Sequence, residues 1–233
     1  EQATGADAPD EMANNNLTHS SDGAGPTQSS DHMQGDYSTL FNPAQYENFS
    51  LADASLSAGF PGKTTTGSAG SFSVGAWVKL DADTARSIIG KGTADSFSFQ
   101  LIFNGTGFIF RISANGWGWV ATVTGGTHPV HDGTTWYHVV GVFDTDANLI
   151  YLYLNGVSDA TAVSCTSAMY LGDEAFCIGR TGDGFFNGHI DEAFVMGRAL
   201  SSTEVAEIYE YGLTGAAITD LSIHASECVG SDG

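Results

Sequence analysis

Trp117 and Trp119, in the run NGWGWVATV, stand two residues apart with Gly116 and Gly118 beside them. In an extended strand that spacing places both indoles on one face. Glycine neighbours leave the rings uncrowded, so the pair has the makings of a platform on which a sugar ring stacks. Packing into a core is the competing use of the same rings. Other reactive groupings are sparser. His128 and His131, in THPVHDG, lack the further soft ligand that zinc requires, and a polar loop accounts for them. Asp144 and Asp146, in FDTDAN, read as turn formers. The chain has no Gly-x-Ser-x-Gly elbow and no Ser-His-Asp or Cys-His arrangement that can be nominated, so nucleophilic catalysis is not expected.

Cys165 and Cys177 flank a stretch containing Gly172 and Asp173. A hairpin turn there would bring the two sulfurs within reach of a cross-strand disulfide, and two separate buried thiols are the alternative. Cys228 is left over in a polar segment, free or joined to another chain, and is a candidate assembly residue. Asn16, Asn48 and Asn104 each open an Asn-x-Ser/Thr acceptor pattern, although Asn104 is equally well explained as a turn residue. In HIDEAFVM, Asp191 and Glu192 are adjacent, so in a regular strand they face opposite ways and Glu192 shares its face with Ile190, Phe194 and Met196. A carboxylate there needs a partner, either a main-chain amide or an arginine such as Arg180 or Arg198.

The elements that must position these groups are short and alternate with period two. In SFSVGAWVKL, Phe72, Val74, Ala76 and Val78 fall on one face, as a half-buried strand requires. FSFQLIF groups Phe97, Phe99, Leu101 and Phe103, and GFIFRIS groups Phe108, Phe110 and Ile112. Asn104-Gly105 between these runs tolerates positive φ and reads as a hairpin turn. WGWVATV, WYHVVGVF and LIYLYLNGV continue the meander, the last closed by Asn155-Gly156. AFCIGR and HIDEAFVMGRAL supply two more strands. Trp77 and Trp136 are expected in the core. A capping box, Ser201 with Glu204, starts one short helix with Val205, Ile208 and Tyr209 on one face. The expected fold is therefore all-β, a two-sheet antiparallel jelly-roll sandwich with one short C-terminal helix.

Composition limits the partners. Of 233 residues, 42% are hydrophobic but only 15% charged, which leaves a neutral-polar surface. The formal net charge of −20 repels a phosphate backbone, so nucleic acid is not an expected partner. No apolar run approaches the roughly 20 residues that span a bilayer, and membrane insertion is not expected. Residues 1–40 are rich in Asn, Ser, Asp and Gly and read as an extended polar N-terminal arm. Residues 41–212 carry the sandwich, and 213–233 form a polar tail whose alternating Ile218, Leu221 and Ile223 mark a possible donated edge strand. The chain begins at Glu1 rather than Met, which leads to the expectation that an upstream segment such as a signal peptide has been removed.

The order of the blocks SFSVGAWVKL, IIGKG, TTWYHVVGVFDTDANLIYLYLNGV and CIGRTGDGFFNGHIDEAFVMGRALSSTEVAEIY resembles the laminin-G-like, concanavalin A-like jelly-roll domain of bacterial and viral surface proteins. The resemblance runs from about Phe41 to Gly212. It implies a secreted, cell-surface or virion setting. It also implies a possible structural calcium ion, for which Asp191 and Glu192 are the candidate ligands. Hydrolases of this superfamily carry Glu-x-Asp-x-x-Glu on one strand, whereas here His189 stands first and no second Glu follows at the needed interval, so catalysis is not expected. Two functions remain. One is a non-catalytic structural or adhesive subunit whose arms contact other copies of itself or neighbouring assembly subunits. The other is a carbohydrate-binding, lectin-like module that takes glycans on Trp117 and Trp119.

Overall fold

Alternation decides the centre of the molecule. Phe72, Val74, Ala76, Val78 and Leu80 of one long strand are all buried against Phe99, Leu101, Phe103, Phe108, Phe110 and Ile112 of the opposing sheet. The computed structural model describes residues 14–20, 25–83, 86–93, 96–182 and 184–214. Its first strands are β1 (Thr18–Ser20), β2 (Thr27–Ser29), β3 (Ser38–Phe41) and β4 (Asn48–Leu51). The long ones follow: β5 (Phe72–Leu80), β6 (Arg86–Thr93), β7 (Ser96–Phe103), β8 (Phe108–Gly116), β9 (Trp119–Thr124), β10 (Trp136–Asp144) and β11 (Leu149–Leu154). Shorter pieces come next: β12 (Val157–Ser158), β13 (Val163–Ser164), β14 (Phe176–Ile178), β15 (Arg180–Thr181) and β16 (Gly184–Phe185). The chain then forms the long β17 (Gly188–Met196) and the helix α1 (Ser202–Thr214).

Seven strands form one sheet in the order β1-β4-β14-β6-β7-β8-β9. The other runs β12-β11-β10-β5-β17-β3-β2, with β13 also on β11. The strand ladders are antiparallel, which is the two-sheet sandwich expected from the sequence. In the aromatic core Phe72 lies tilted on Phe99 at 4.7 Å and edge to face on Phe110 and Phe143 at 5.9 Å, centroid to centroid. Gly141 makes this possible, since a Cβ there would sit 2.4 Å from the Phe110 ring. Both tight turns form as read. Asn104 Oδ1 accepts the amides of Thr106 and Gly107, and Asn155 and Gly156 have φ of 50° and 79°.

The outer face of the β5 sheet is sealed by α1. Its capping box is reciprocal, with Ser201 N–H donating to Glu204 Oε2 at 2.8 Å and Glu204 N–H to Ser201 Oγ at 3.2 Å. Arg198 pairs with the same carboxylate at 2.7 Å. Val205 and Leu200 bury against Val140, Val142 and Tyr153. Tyr209 stacks on Trp77 at 5.4 Å, so Trp77 is buried under the helix rather than between the sheets. Trp136 is half-buried on the same outer face, its Nε1–H donating to Asp31, and is not a core residue.

The described part of the N-terminal arm lies on the chain's own sandwich. β1 extends one sheet, and β2 with β3 extends the other. Lys79, 2% exposed, donates to Asp31. Ser38 Oγ meets His189 Nδ1 at 3.1 Å, and the amides of Met33 and Gln34 donate to Asp191 Oδ2 at 2.7 and 3.1 Å. These anchors are polar, so a reading based on hydropathy passes over them. At the other end α1 runs to Thr214; Cys228 and the stretch Ile218 to Ile223 lie outside the described residues.

Two expectations are corrected here. Cys165 and Cys177 are free, buried thiols rather than a disulfide. Gly172 is no hairpin turn but bridges in parallel to Lys63. Cys177 sits in β14 between Ser50 and Gly90 of one sheet, whereas Cys165 follows β13 on the other, where its amide bonds Asn148. Burial pushes the Cys177 thiol up to about 11. The second correction concerns β17, whose register against β5 shifts between Asp191 and Phe194, with Glu192 at φ 48°. This bulge reverses the alternation: Ile190 is in the core before it, Val195 packs on the core after it, and Phe194 and Met196 go to the helix side. Glu192 is exposed at the bulge and does not share a face with Ile190.

Candidate functional site

Three register shifts meet at one corner of the seven-stranded sheet. Between β6 and β7 the pairing steps from Lys91–Phe99 to Gly92–Phe97. Between β7 and β8 it steps from Phe99–Ile112 to Phe97–Gly116. Between β8 and β9 it steps from Ile112–Ala121 to Ser113–Trp119. A bulge re-aims the side chains beyond it. Phe97, expected in line with Phe99, Leu101 and Phe103, leaves the core and packs on Trp119 with centroids 5.1 Å apart. Trp119 takes the outer face, where the Arg111 guanidinium lies over its ring at 4.2 Å.

That cation is held in place from below. Arg111 Nε donates to Gln100 Oε1 at 2.9 Å, and Gln100 Nε2 donates to Thr181 Oγ1 at 2.7 Å. Gln100 is fully buried, because the β15–β16 hairpin folds over this part of the outer face. The stacked Phe97–Trp119–Arg111 group is therefore preorganised rather than loose. Trp117 sits at the tip of the β8–β9 hairpin, not in a strand with Trp119. Its amide and that of Gly118 donate to Asn115 Oδ1 at 3.0 and 3.1 Å, which fixes the turn. Gly116, at φ 86°, is required twice over: a Cβ there would be strained and would lie 2.9 Å from the Tyr170 ring.

Trp117 is 79% exposed, the highest value among the exposed large hydrophobic side chains of the described residues. Among the described residues no ring partners it, and the two tryptophans do not stack on each other. Exposing a whole indole on a rigid turn gives up its burial energy and leaves an apolar face ready for a ligand. The expectation of two indoles on one strand face is thus replaced by a half-buried, cation-backed indole and a free one at the hairpin tip. Phe97, Gln100 and Arg111 were not nominated from the sequence. Gly92 and Gly116, the glycines at the register shifts, were the available signal.

An open groove of about 770 Å³ lies on the other sheet, lined by Tyr151, Tyr153, Val157, Asp159 and Ser202 among others. It offers less to a sugar face, since Tyr153 is 6% exposed and buried against α1.

Asp191, one of the two carboxylates expected to hold calcium, is bonded to main-chain amides. Asp191 Oδ2 accepts two amides and Oδ1 accepts the Glu192 amide at 3.0 Å, so both oxygens are committed. Among the described residues no group of three or more His, Cys, Asp and Glu is placed to hold a metal ion. His128 and His131 are exposed loop residues, Asp144 accepts the amides of Asp146 and Ala147 in a turn, and Asn48 is buried in β4.

Residues 53–206 match the concanavalin A-like lectin/glucanases superfamily of laminin-G type, and the chain belongs to that family. Among solved structures it resembles domain 4 of AbnA, a GH43 extracellular arabinanase from Geobacillus stearothermophilus, in complex with arabinotriose. That likeness has a TM-score of 0.63 at 19% identity and covers 87% of this chain and 93% of that domain. It also resembles the binding domain of botulinum neurotoxin DC in complex with SialylT (TM-score 0.60, 9% identity, 89% of this chain and 51% of that one). A third likeness is to a structure of botulinum neurotoxin type C, whose cell entry depends on interaction with two ganglioside molecules (0.60, 9%, 89% and 50%). The chain spans about half the length of these toxin domains. At such identities the likeness establishes the fold. No curated protein matches the chain in sequence.

Proposed function

We propose that this chain is a non-catalytic carbohydrate-binding module that holds a glycan at the β7–β8–β9 corner, with Trp117 as the principal stacking surface and Trp119 as a cation-backed second one. The observation that carries it is a 79% exposed indole fixed on a hydrogen-bonded turn. Support comes from the arabinanase domain with arabinotriose, which covers nearly the same length as this chain. That domain belongs to an extracellular protein, and an extracellular setting suits a glycan binder. Among the described residues no helix is long and apolar enough to cross a membrane. The subunit reading rested on arms reaching other copies, and the described arm residues instead pair with the chain's own sheets.

The test is retention on an immobilised glycan array. Trp117→Ala is expected to abolish retention while changing stability by no more than about 0.5 kcal/mol, as surface substitutions do. Tyr151→Ala, in the groove of the other sheet, is expected to leave retention intact. Unchanged retention of Trp117→Ala removes this corner as the binding site.

A further inference from the structure

We infer that the ligand of this corner is an uncharged glycan, and that acidic glycans, whether sialylated, uronic or sulfated, are excluded by the way the chain disposes of its cations. The inference rests on the carbohydrate-binding reading and sharpens it to a substrate class. The chain has seven Lys and Arg side chains against 27 Asp and Glu, and all seven lie among the described residues.

Each of the seven is already engaged within the fold. Lys91 is fully buried, 2.8 Å from Asp53 and bonded to the carbonyls of Gly172 and Glu174 at 2.7 and 2.6 Å. Lys79 is held by Asp31, and Lys63, 9% exposed, donates to the Leu56 carbonyl. Arg198 pairs with Glu204, and Arg180 lies over the Phe185 ring at 5.2 Å. Arg86 is half-buried in β6 and partnered as well.

The cation at the corner itself is Arg111, whose guanidinium is shared between Gln100 and the Trp119 ring. It stiffens the platform instead of offering a free fork to a carboxylate or sulfate. An acidic sugar would therefore meet an indole face in the field of a chain with net charge −20, where the cation at the corner, Arg111, is already held by Gln100 and Trp119. A neutral sugar loses nothing in that field, because stacking and hydroxyl hydrogen bonds do not depend on the sign of the surface charge. The ganglioside and sialyl ligands of the toxin domains would on this reading not transfer to this chain, whereas a neutral pentose oligosaccharide such as arabinotriose would.

Matched probes on one array decide the matter: arabinotriose, xylotriose and lactose as neutral ligands, with trigalacturonic acid, sialyllactose and sulfated lactose as acidic ones, each read at low and high salt. Retention of at least one neutral probe is expected, changing less than about twofold with salt, with every acidic probe at least about tenfold weaker at low salt, where screening is least. An acidic probe held as well as or better than its neutral counterpart overturns the charge inference while upholding the carbohydrate-binding reading. Retention of none of these probes and of no other glycan on the array overturns both.

Discussion

A neutral His138 is part of how α1 stays on the sheet. Its ring is 1% exposed, packed among Trp77, Tyr209 and Phe194, and its Nδ1 is buried without a hydrogen-bond partner. Burial holds it down to about 4 from the usual 6.5. The folded state thus binds this proton less readily than the unfolded chain. The stabilisation is complete above about pH 6.5 and is lost as the pH falls towards 4, by up to roughly 3 kcal/mol at 1.36 kcal/mol per unit. His138→Phe is expected to flatten the melting temperature between pH 7 and 4.5, measured by circular dichroism; an unaltered slope would assign acid sensitivity to other groups. At the same scale, Asp191 is committed to main-chain amides, so a chelator is expected to leave the melting temperature unchanged. Asp191→Ala, by orphaning three amides, should lower stability by about 1–3 kcal/mol with or without chelator. Trp117 was legible in the sequence as an indole between glycines. Its partner arrangement was not, because whether a residue lies in a strand or at a turn tip depends on register, which two neighbouring strands decide together.

At the scale of elements, local chemistry was legible and register was not. Asn104-Gly105, Asn155-Gly156 and the Ser201–Glu204 box form as read because each depends on a few adjacent residues. The bulges at Phe97, Trp119 and Glu192 escaped, since each expresses a register mismatch between two whole strands rather than a local residue pattern, and each moved a side chain to a face that plain alternation denied it. The two kinds of feature respond differently to substitution. Ser201→Ala should cost about 1 kcal/mol, the usual worth of an N-cap, and should leave glycan retention intact. Gly141→Ala forces a methyl to within 2.4 Å of Phe110 in the packed core and should cost about 1–3 kcal/mol, read from chemical denaturation at pH 7. A smaller loss for Gly141→Ala than for Ser201→Ala would mean that the sheets separate easily, contrary to the packing of Phe72 on Phe99 and Phe110 of the opposing sheet.

For the whole molecule, the N-terminal residues separate a sandwich with arms from a sandwich with a built-in strap. Composition alone favours arms, because residues 1–40 carry few apolar side chains and so resemble a segment without a fold of its own. The structure shows the other way of holding such a segment: β2 and β3 extend a sheet by main-chain bonds, and Asp31, Ser38 and the amides of Met33 and Gln34 satisfy Lys79, His189 and Asp191 of the sandwich. Removing residues 1–37 would leave the Lys79 ammonium, 2% exposed, without its carboxylate and strip Asp191 of two donors. An orphaned buried charge costs several kcal/mol, and at about 2–4 °C per kcal/mol for a domain of this size the melting temperature should drop by roughly 10 °C or more. An arm that served only neighbouring subunits would be removable with no such loss. Full thermal stability of the truncated chain, with a change in oligomeric state by light scattering, would therefore restore the assembly reading, whereas a destabilised chain that is monomeric before and after truncation places the segment within the fold of a single glycan-binding domain.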